Sequence, residues 1–272
     1  MNKLKIWDFI TWVCIGLVLA VLLLVIGHVV VNGIRFINLK FIVETTSNAG
    51  RSGGIRNVIT ATIYLTLSAL LLAVPVSIAA AIYLQEYARK GRLLNILVSG
   101  IETLAGVPSI VFGLFGFNIF VTLLGWSWSL VSGAITLALM GLPILTRTIM
   151  EAIRAVPRSY RDASLALGAG QWTTIVRVVL PAAFSGIITG IILSMGRIIG
   201  ETAAVFLTFG STLNSISSIF DSGRTMPVHV YILSSESVSI DNAYATATIL
   251  LVVIIALNGL AYLYQGITKK RG

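Results

Sequence analysis

The chain has 272 residues, of which 57% are hydrophobic and 11% charged, and it carries a net charge of +9. A soluble domain usually has about a quarter charged residues, so this composition excludes an ordinary soluble globular protein. The positive charge is not read as a nucleic-acid signature, because the cations lie between long uncharged apolar blocks.

Those blocks cover 9–34, 57–85, 103–146, 178–196, 202–220 and 242–268. A bilayer core is spanned by about 20 apolar residues. Backbone groups in lipid must be satisfied within the segment, so the blocks are helices. The prediction is an all-α integral membrane protein of about six spans, near 9–33, 57–85, 93–125 (broken), 128–150, 181–208 and 243–266. The first helix is expected as a separate element, residues 1–34. Its apolar block is too long for a typical signal-peptide core, and no A-x-A site follows it, so it is read as uncleaved. Residues 34–56 form a polar outer loop with Ser52-Gly53-Gly54 near its end. The second helix carries Pro75, and Lys90 to Arg92 is a short turn. The third segment contains Glu102 and then Ala105-Gly106-Val107-Pro108-Ser109, where Gly and Pro mark a break. Gly113 and Gly116 allow close helix approach. Gly125, Trp126 and Trp128 make an outer turn with interfacial aromatics. The fourth helix carries Gly141-Leu142-Pro143, a second expected kink. Charge returns in the loop 151–180, Pro181 is expected to open the fifth helix, and 209–242 is a polar extracytoplasmic loop. Residues 57–266 are thus a five-helix core.

This arrangement puts both termini on one side. With them lie Lys3, Lys5, Arg89, Lys90, Arg92, Arg147, Arg154, Arg158, Arg161, Arg177, Lys269, Lys270 and Arg271, against Arg35, Lys40, Arg51, Arg56 and Arg224 opposite. The positive-inside rule assigns the basic side to the cytoplasm. Cys14 is the single cysteine, and His28 and His229 are far apart, so no disulfide, metal site or cofactor motif is found. No nucleophile–base set or HExxH pattern supports an enzyme.

The loop reads Val156-Pro157-Arg158-Ser159-Tyr160-Arg161-Asp162-Ala163-Ser164-Leu165-Ala166-Leu167-Gly168-Ala169-Gly170. Ser159 and Asp162 have capping-box spacing. Gly168 is placed to end a short helix in a left-handed conformation. A second short helix is expected from about Gln171 to Leu180. The residues alone are equally compatible with a solvated loop helix.

This loop resembles the EAA loop of type I ABC importer permeases: Glu-Ala-Ala, three residues, Gly, nine residues, Ile, any residue, Leu-Pro. Here stand Asp162-Ala163-Ser164, Gly168, Val178 and Leu180-Pro181, with three mild departures. The resemblance implies a MetI-like fold, a coupling role toward a cytoplasmic ATPase for Asp162, Ala163, Ser164 and Gly168, and a second permease beside this one. The chain itself has no Gly-Lys-Ser/Thr P-loop, so ATP hydrolysis is expected on a separate subunit.

Further segments resemble the PstA and PstC phosphate permeases, PstA more closely. They are Gly53-Gly54-Ile55, Tyr83-Leu84-Gln85-Glu86-Tyr87, 104–111, Gly113-Leu114-Phe115-Gly116 and Gly196-Arg197-Ile198-Ile199-Gly200-Glu201-Thr202-Ala203, with Met226-Pro227-Val228 favouring PstA. The resemblance implies phosphate import across a prokaryotic plasma membrane, with a PstC-like permease, a PstB-like ATPase dimer and a PstS-like binding protein as partners. Arg197 and Glu201 are four residues apart and are expected to share one face of the fifth helix. They read either as a self-neutralising pair or as groups on the phosphate pathway. Arg147 is a second pathway candidate or a snorkelling anchor, and Glu102 a partner for any of these cations. The rival readings are a permease for another oxyanion, such as sulfate or molybdate, and an ion-coupled secondary transporter.

Overall fold

The computed structural model describes the backbone of residues 2–269 and the side chains of 8–266. Lys3, Lys5, Lys269, Lys270 and Arg271, which contribute to the charge asymmetry, lie outside the described side chains. The chain runs through α1 (Asn2–Ile34), α2 (Leu39–Val43), a hairpin of β1 (Thr46–Ser47) and β2 (Ser52–Gly53), and α3 (Arg56–Ile82), which ends in a π-helical turn at Tyr83–Tyr87. Then come α4 (Arg92–Ala105), α5 (Ser109–Gly116) with a π-helical extension Phe117–Leu123, and α6 (Leu130–Arg154). A two-helix knob follows: α7 (Arg158–Ala166) and α8 (Gln171–Thr174). A π-helical stretch, Ile175–Val179, carries α8 into α9 (Leu180–Ile199), and α10 (Ala203–Thr208), α11 (Met226–Ser235) and α12 (Ile240–Lys269) complete the chain.

Five segments are long and apolar enough to cross a membrane: Asp8–Ile34, Arg56–Tyr87, Leu130–Arg154, Gln171–Ile199 and Ile240–Gly266. α4 and α5 with its extension make a sixth only as a pair bent by 93°. At 1.5 Å per residue each piece is only about 20 Å long, short of the roughly 30 Å core. Pro108 explains the bend, since it lacks an N–H and biases Val107 away from helix.

The expected fifth helix, 181–208, is corrected at both ends. The span starts at Gln171, because a π turn accommodates Pro181: Leu180 N–H donates to Ile175 O, five residues back. It stops at Ile199, where Gly200, Glu201 and Thr202 break the helix before α10. The expected loop 209–242 also holds structure, because α11 buries Met226, Val228, His229, Ile232 and Leu233.

The core is the packing of α3, α6 and α9, with α12 behind α9. Towards the hairpin end it contains Leu65, Leu137, Met140, Ile198, Phe209 and Val228. Towards the knob end it contains Leu145, Ile149, Ile153, Val179 and Ile187. α6 and α9 cross closely at two glycines. A Cβ on Gly186 would stand 2.8 Å from Ala152 Cβ, and one on Gly190 would stand 2.7 Å from Thr148 Cγ2. Small residues at such crossings let backbones approach, the main source of helix adhesion where solvent is as apolar as the side chains. α1 leans on α12 through His28 Nε2 and Tyr244 Oη at 3.1 Å and Thr248 Oγ1 donating to Val29 O at 3.1 Å. Most of its other side chains, Trp12 and Leu24 among them, are exposed.

Candidate functional site

The knob is built by backbone capping and a few side-chain ties. α7 starts after Pro157, whose φ of −56° and ψ of 141° turn the chain into the helix, with no side-chain cap. The expected capping box is therefore corrected: Ser159 lies inside the first turn, not at its N-cap. At the other end Gly168 adopts φ +83°, as its sequence position predicts. Gly168 N–H donates to Leu165 O at 2.9 Å and Ala169 N–H to Ser164 O at 3.2 Å, a Schellman closure. Ser164 Oγ and Thr174 Oγ1, 2.9 Å apart, tie α7 to α8. Asp162, Ala163, Tyr160 and Trp172 are exposed, and Leu167 is 90% exposed at the tip. Closed by its own backbone bonds and apolar at its tip, the knob is a projection from the bundle.

Arg161 fastens this projection to the bundle. Its Nη2 donates to Glu86 Oε1 at 2.7 Å and its Nε reaches the same carboxylate at 3.2 Å. Nη1 donates to Val156 O at 2.8 Å and Nη2 also to Ile153 O at 3.0 Å. Gln171 Nε2 donates to the main-chain Glu86 O at 2.9 Å. The Arg161 and Glu86 side chains are only 19% and 11% exposed. Beside them is a cavity of about 580 Å³ whose lining includes Lys90, Arg154 and Arg158.

Arg197 occupies the last turn of α9 and is exposed on the isolated chain. The neighbouring Ile198 lies against Gly141, near the middle of α6. Gly116 of α5 meets Thr136 of α6, so the start of α5, seven residues earlier, falls about 10 Å deeper, level with Pro143. Arg197 therefore lies between two backbone breaks, at 200–202 about one turn nearer the hairpin and at 106–108 about one turn nearer the knob. α5 begins there without a side-chain cap. Glu201 does not share a helix face with Arg197, correcting that expectation. The helix has ended before it, and Glu201 Oε1 accepts from Ala204 N–H at 3.2 Å, capping α10. Among the described residues the ion pairs are Arg161–Glu86 and Arg147–Glu151, so Arg197 has no carboxylate partner.

Arg147 is about 8 Å closer to the knob than Arg197, by the register of α6 against α9. Its Nε donates to Glu151 Oε1 at 3.2 Å, and the two side chains are 55% and 65% exposed. With Glu102, Glu151 and Arg154 it lines a cavity of about 210 Å³. Glu102 forms no ion pair among the described residues.

At the hairpin end, His229 is 1% exposed and packs beside Gly50, where a Cβ would meet His229 Cε1 at 3.0 Å. Burial, and secondarily the nearby Arg224, push its pKa down to about 4. Arg224 Nε donates to Ser211 O at 2.7 Å.

The family of binding-protein-dependent transport system inner membrane components matches residues 73–271. The chain belongs to this family. Its members most similar in sequence include the probable ABC transporter permease YqgI of Bacillus subtilis, 32% identical over 82% of this chain and 80% of that protein. The phosphate transport system permease PstA 1 of Mycobacterium tuberculosis is 34% identical over 81% of this chain and 73% of its own length. PstA 2 of Mycobacterium bovis is 30% identical over 98% and 90%. Among solved structures, a bacterial alginate ABC transporter superposes with a TM-score of 0.68 at 16% identity, covering 95% of this chain and 96% of that one. The MetNI methionine ABC transporter superposes with 0.61 at 13% identity, covering 79% and 94%. These identities establish a shared importer-permease fold. In this inner membrane component the matched region takes in α4 to α12, and so both the knob and the mid-depth breaks.

The structure thus gathers Asp162, Ala163, Ser164 and Gly168 on one projection and sets Arg197 apart from both Glu201 and Arg147. The pairing of Glu86 with Arg161 is carried by no motif spacing, since 75 positions separate them. The available signal was position: Glu86 is a lone carboxylate closing a long apolar block, where an unpaired charge is costly.

Proposed function

We propose that this chain is one half of the transmembrane pathway of an ATP-driven inorganic phosphate importer. The observation that carries the substrate is Arg197, a cation with no carboxylate partner among the described residues, within about one helical turn of the breaks in α9 and in the α4–α5 pair. Intramembrane charge of this kind faces water or a ligand. Broken helices at mid-depth supply backbone groups to a transported ion. The guanidinium fork donates two parallel charge-assisted hydrogen bonds to a phosphate oxygen pair. The similarity to PstA permeases supports phosphate over other oxyanions. Glu201, as the cap of α10, holds the break in place beside the path, and Arg147 is a second, shallower cation on the inner side.

The knob side is cytoplasmic in this reading, with both termini there and 209–242 outside. Asp162, Ala163, Ser164 and Gly168 form the surface that docks on a separate ATPase dimer. A second, related permease completes the pathway, and an external binding protein delivers phosphate. Residues 1–34 are a peripheral helix, supported by the contact of α1 with α12, and 57–266 are the transport core.

The test is uptake of labelled phosphate into proteoliposomes holding this chain, its partner permease, ATPase and binding protein. Uptake that requires ATP and is unaffected by excess sulfate is expected. Block by sulfate would overturn the substrate. Uptake driven by an ion gradient without ATP would overturn the class.

A further inference from the structure

Three elements of the bundle end at the knob, but the chain itself joins the knob to only two of them. α6 enters it through Ala155, Val156 and Pro157, and α8 leaves it into α9. α3 has no covalent link there. It ends at Tyr83–Tyr87, and the chain continues from there into α4.

Resting on the docking role assigned to the knob, we propose that Glu86 and Arg161 are the joint that makes α3 move with the knob, and that they act as positioning residues for transport. The geometry is that of a joint, not of a surface ion pair. Arg161 holds the Glu86 carboxylate through two of its nitrogens, at 2.7 and 3.2 Å, and the carbonyls of Ile153 and Val156 at the end of α6. One side chain on α7 therefore clasps the ends of α3 and α6 together. Gln171 of α8 holds the Glu86 carbonyl from the other side of the knob. Charge-assisted bonds of this kind, largely shielded from water, are stronger and more directional than the exposed Arg147–Glu151 pair.

The neighbouring backbone is suited to transmitted movement. Two of the three places where the knob meets a helix, Tyr83–Tyr87 and Ile175–Val179, are π-helical. Such π turns are rare insertions into α-helices, found mostly at functional sites. α3 is the helix packed most extensively on α6. Pulling the knob with the joint intact moves α3, α6 and α9 as one body. With the joint broken, α3 is left behind.

The experiment uses the full reconstituted complex with spin labels at Ser159 on the knob and Tyr83 on α3, both exposed. The label separation is compared without nucleotide and with ATP bound, beside the phosphate moved per ATP hydrolysed. In the wild type the separation is expected to stay constant through the cycle. In Glu86→Gln and Arg161→Gln it should shift or broaden with ATP, and phosphate moved per ATP should fall at least tenfold while hydrolysis stays within about twofold. Glu86→Asp, which keeps the charge, should recover part of the ratio. A separation that responds to ATP identically in wild type and variants overturns the joint, as does a variant whose transport and hydrolysis fall in proportion with loss of assembled complex. A wild-type complex that holds the separation constant but moves no phosphate would overturn the assigned substrate and leave the joint standing.

Discussion

In the knob, the inward-reaching Arg161 is saturated: a carboxylate, two carbonyls and a cavity wall surround it, and its charge fixes one element against another. Near the middle of the bundle, Arg197 lies within about one turn in depth of two helix breaks, with no carboxylate partner among the described residues, and Glu201 is turned to a helix cap instead. The same residue type has opposite uses. A saturated arginine transmits force, because breaking it exposes buried charge. An unsaturated arginine beside a path attracts an anion, and a single cation holds it weakly enough to let it leave.

The strongest way to break this comparison is Arg197→Gln. Uptake is expected to fall by about a hundredfold or more, a loss of about 3 kcal/mol at the transition state, while the complex still purifies intact. Near-normal uptake would remove Arg197 from the path. Next comes Gly190→Leu, which forces a side chain into Thr148 across the α6–α9 crossing. Over-packing of about 1–3 kcal/mol should lower the melting temperature of the purified protein, and an unchanged value would deny that this crossing holds the two regions together. Gly168→Ala should cost about 1 kcal/mol, because φ +83° strains a residue with a Cβ even though open space surrounds it. Its effect belongs to ATPase docking, measured by co-purification, and not to phosphate affinity. Arg147→Gln should reduce uptake only a few-fold and stability by less than about 0.5 kcal/mol, since its partner Glu151 is exposed. A loss as large as that of Arg197→Gln would move the controlling cation to the inner side.

His229 offers a control away from both regions. Its pKa is about 4 in the fold against about 6.5 when unfolded, so between those values the unfolded chain binds more protons. Stability is complete above about pH 6.5 and falls as the pH drops towards 4. Thermal unfolding at pH 7.5 and 5 should show the fall, and His229→Phe should flatten it.

Much of this was legible in one dimension. Hydrophobic blocks near the bilayer length revealed the spans, because lipid leaves a backbone no alternative to helix. The left-handed Gly168 was legible because a helix end followed by Gly is a local event. The helix ends around Pro157, Pro181 and Gly200 were misread, since a π turn and a backbone cap depend on how neighbouring elements enter. The spacing of Arg197 and Glu201 was misleading for the same reason: four residues share a face only while the helix continues.

By itself the sequence determined that the chain is a helical membrane protein, where four of its spans lie within a few residues, and that a Gly-closed, charge-flanked loop projects from one side. Those follow from hydropathy and local backbone preference, which act over one or two turns. Only the tertiary structure decided that Glu86 closes on Arg161, 75 positions away in the chain, and that Arg197 lies within about one turn of two helix breaks. Such pairings depend on the relative register of α3, α5, α6 and α9, which packing sets and no local sequence signal carries.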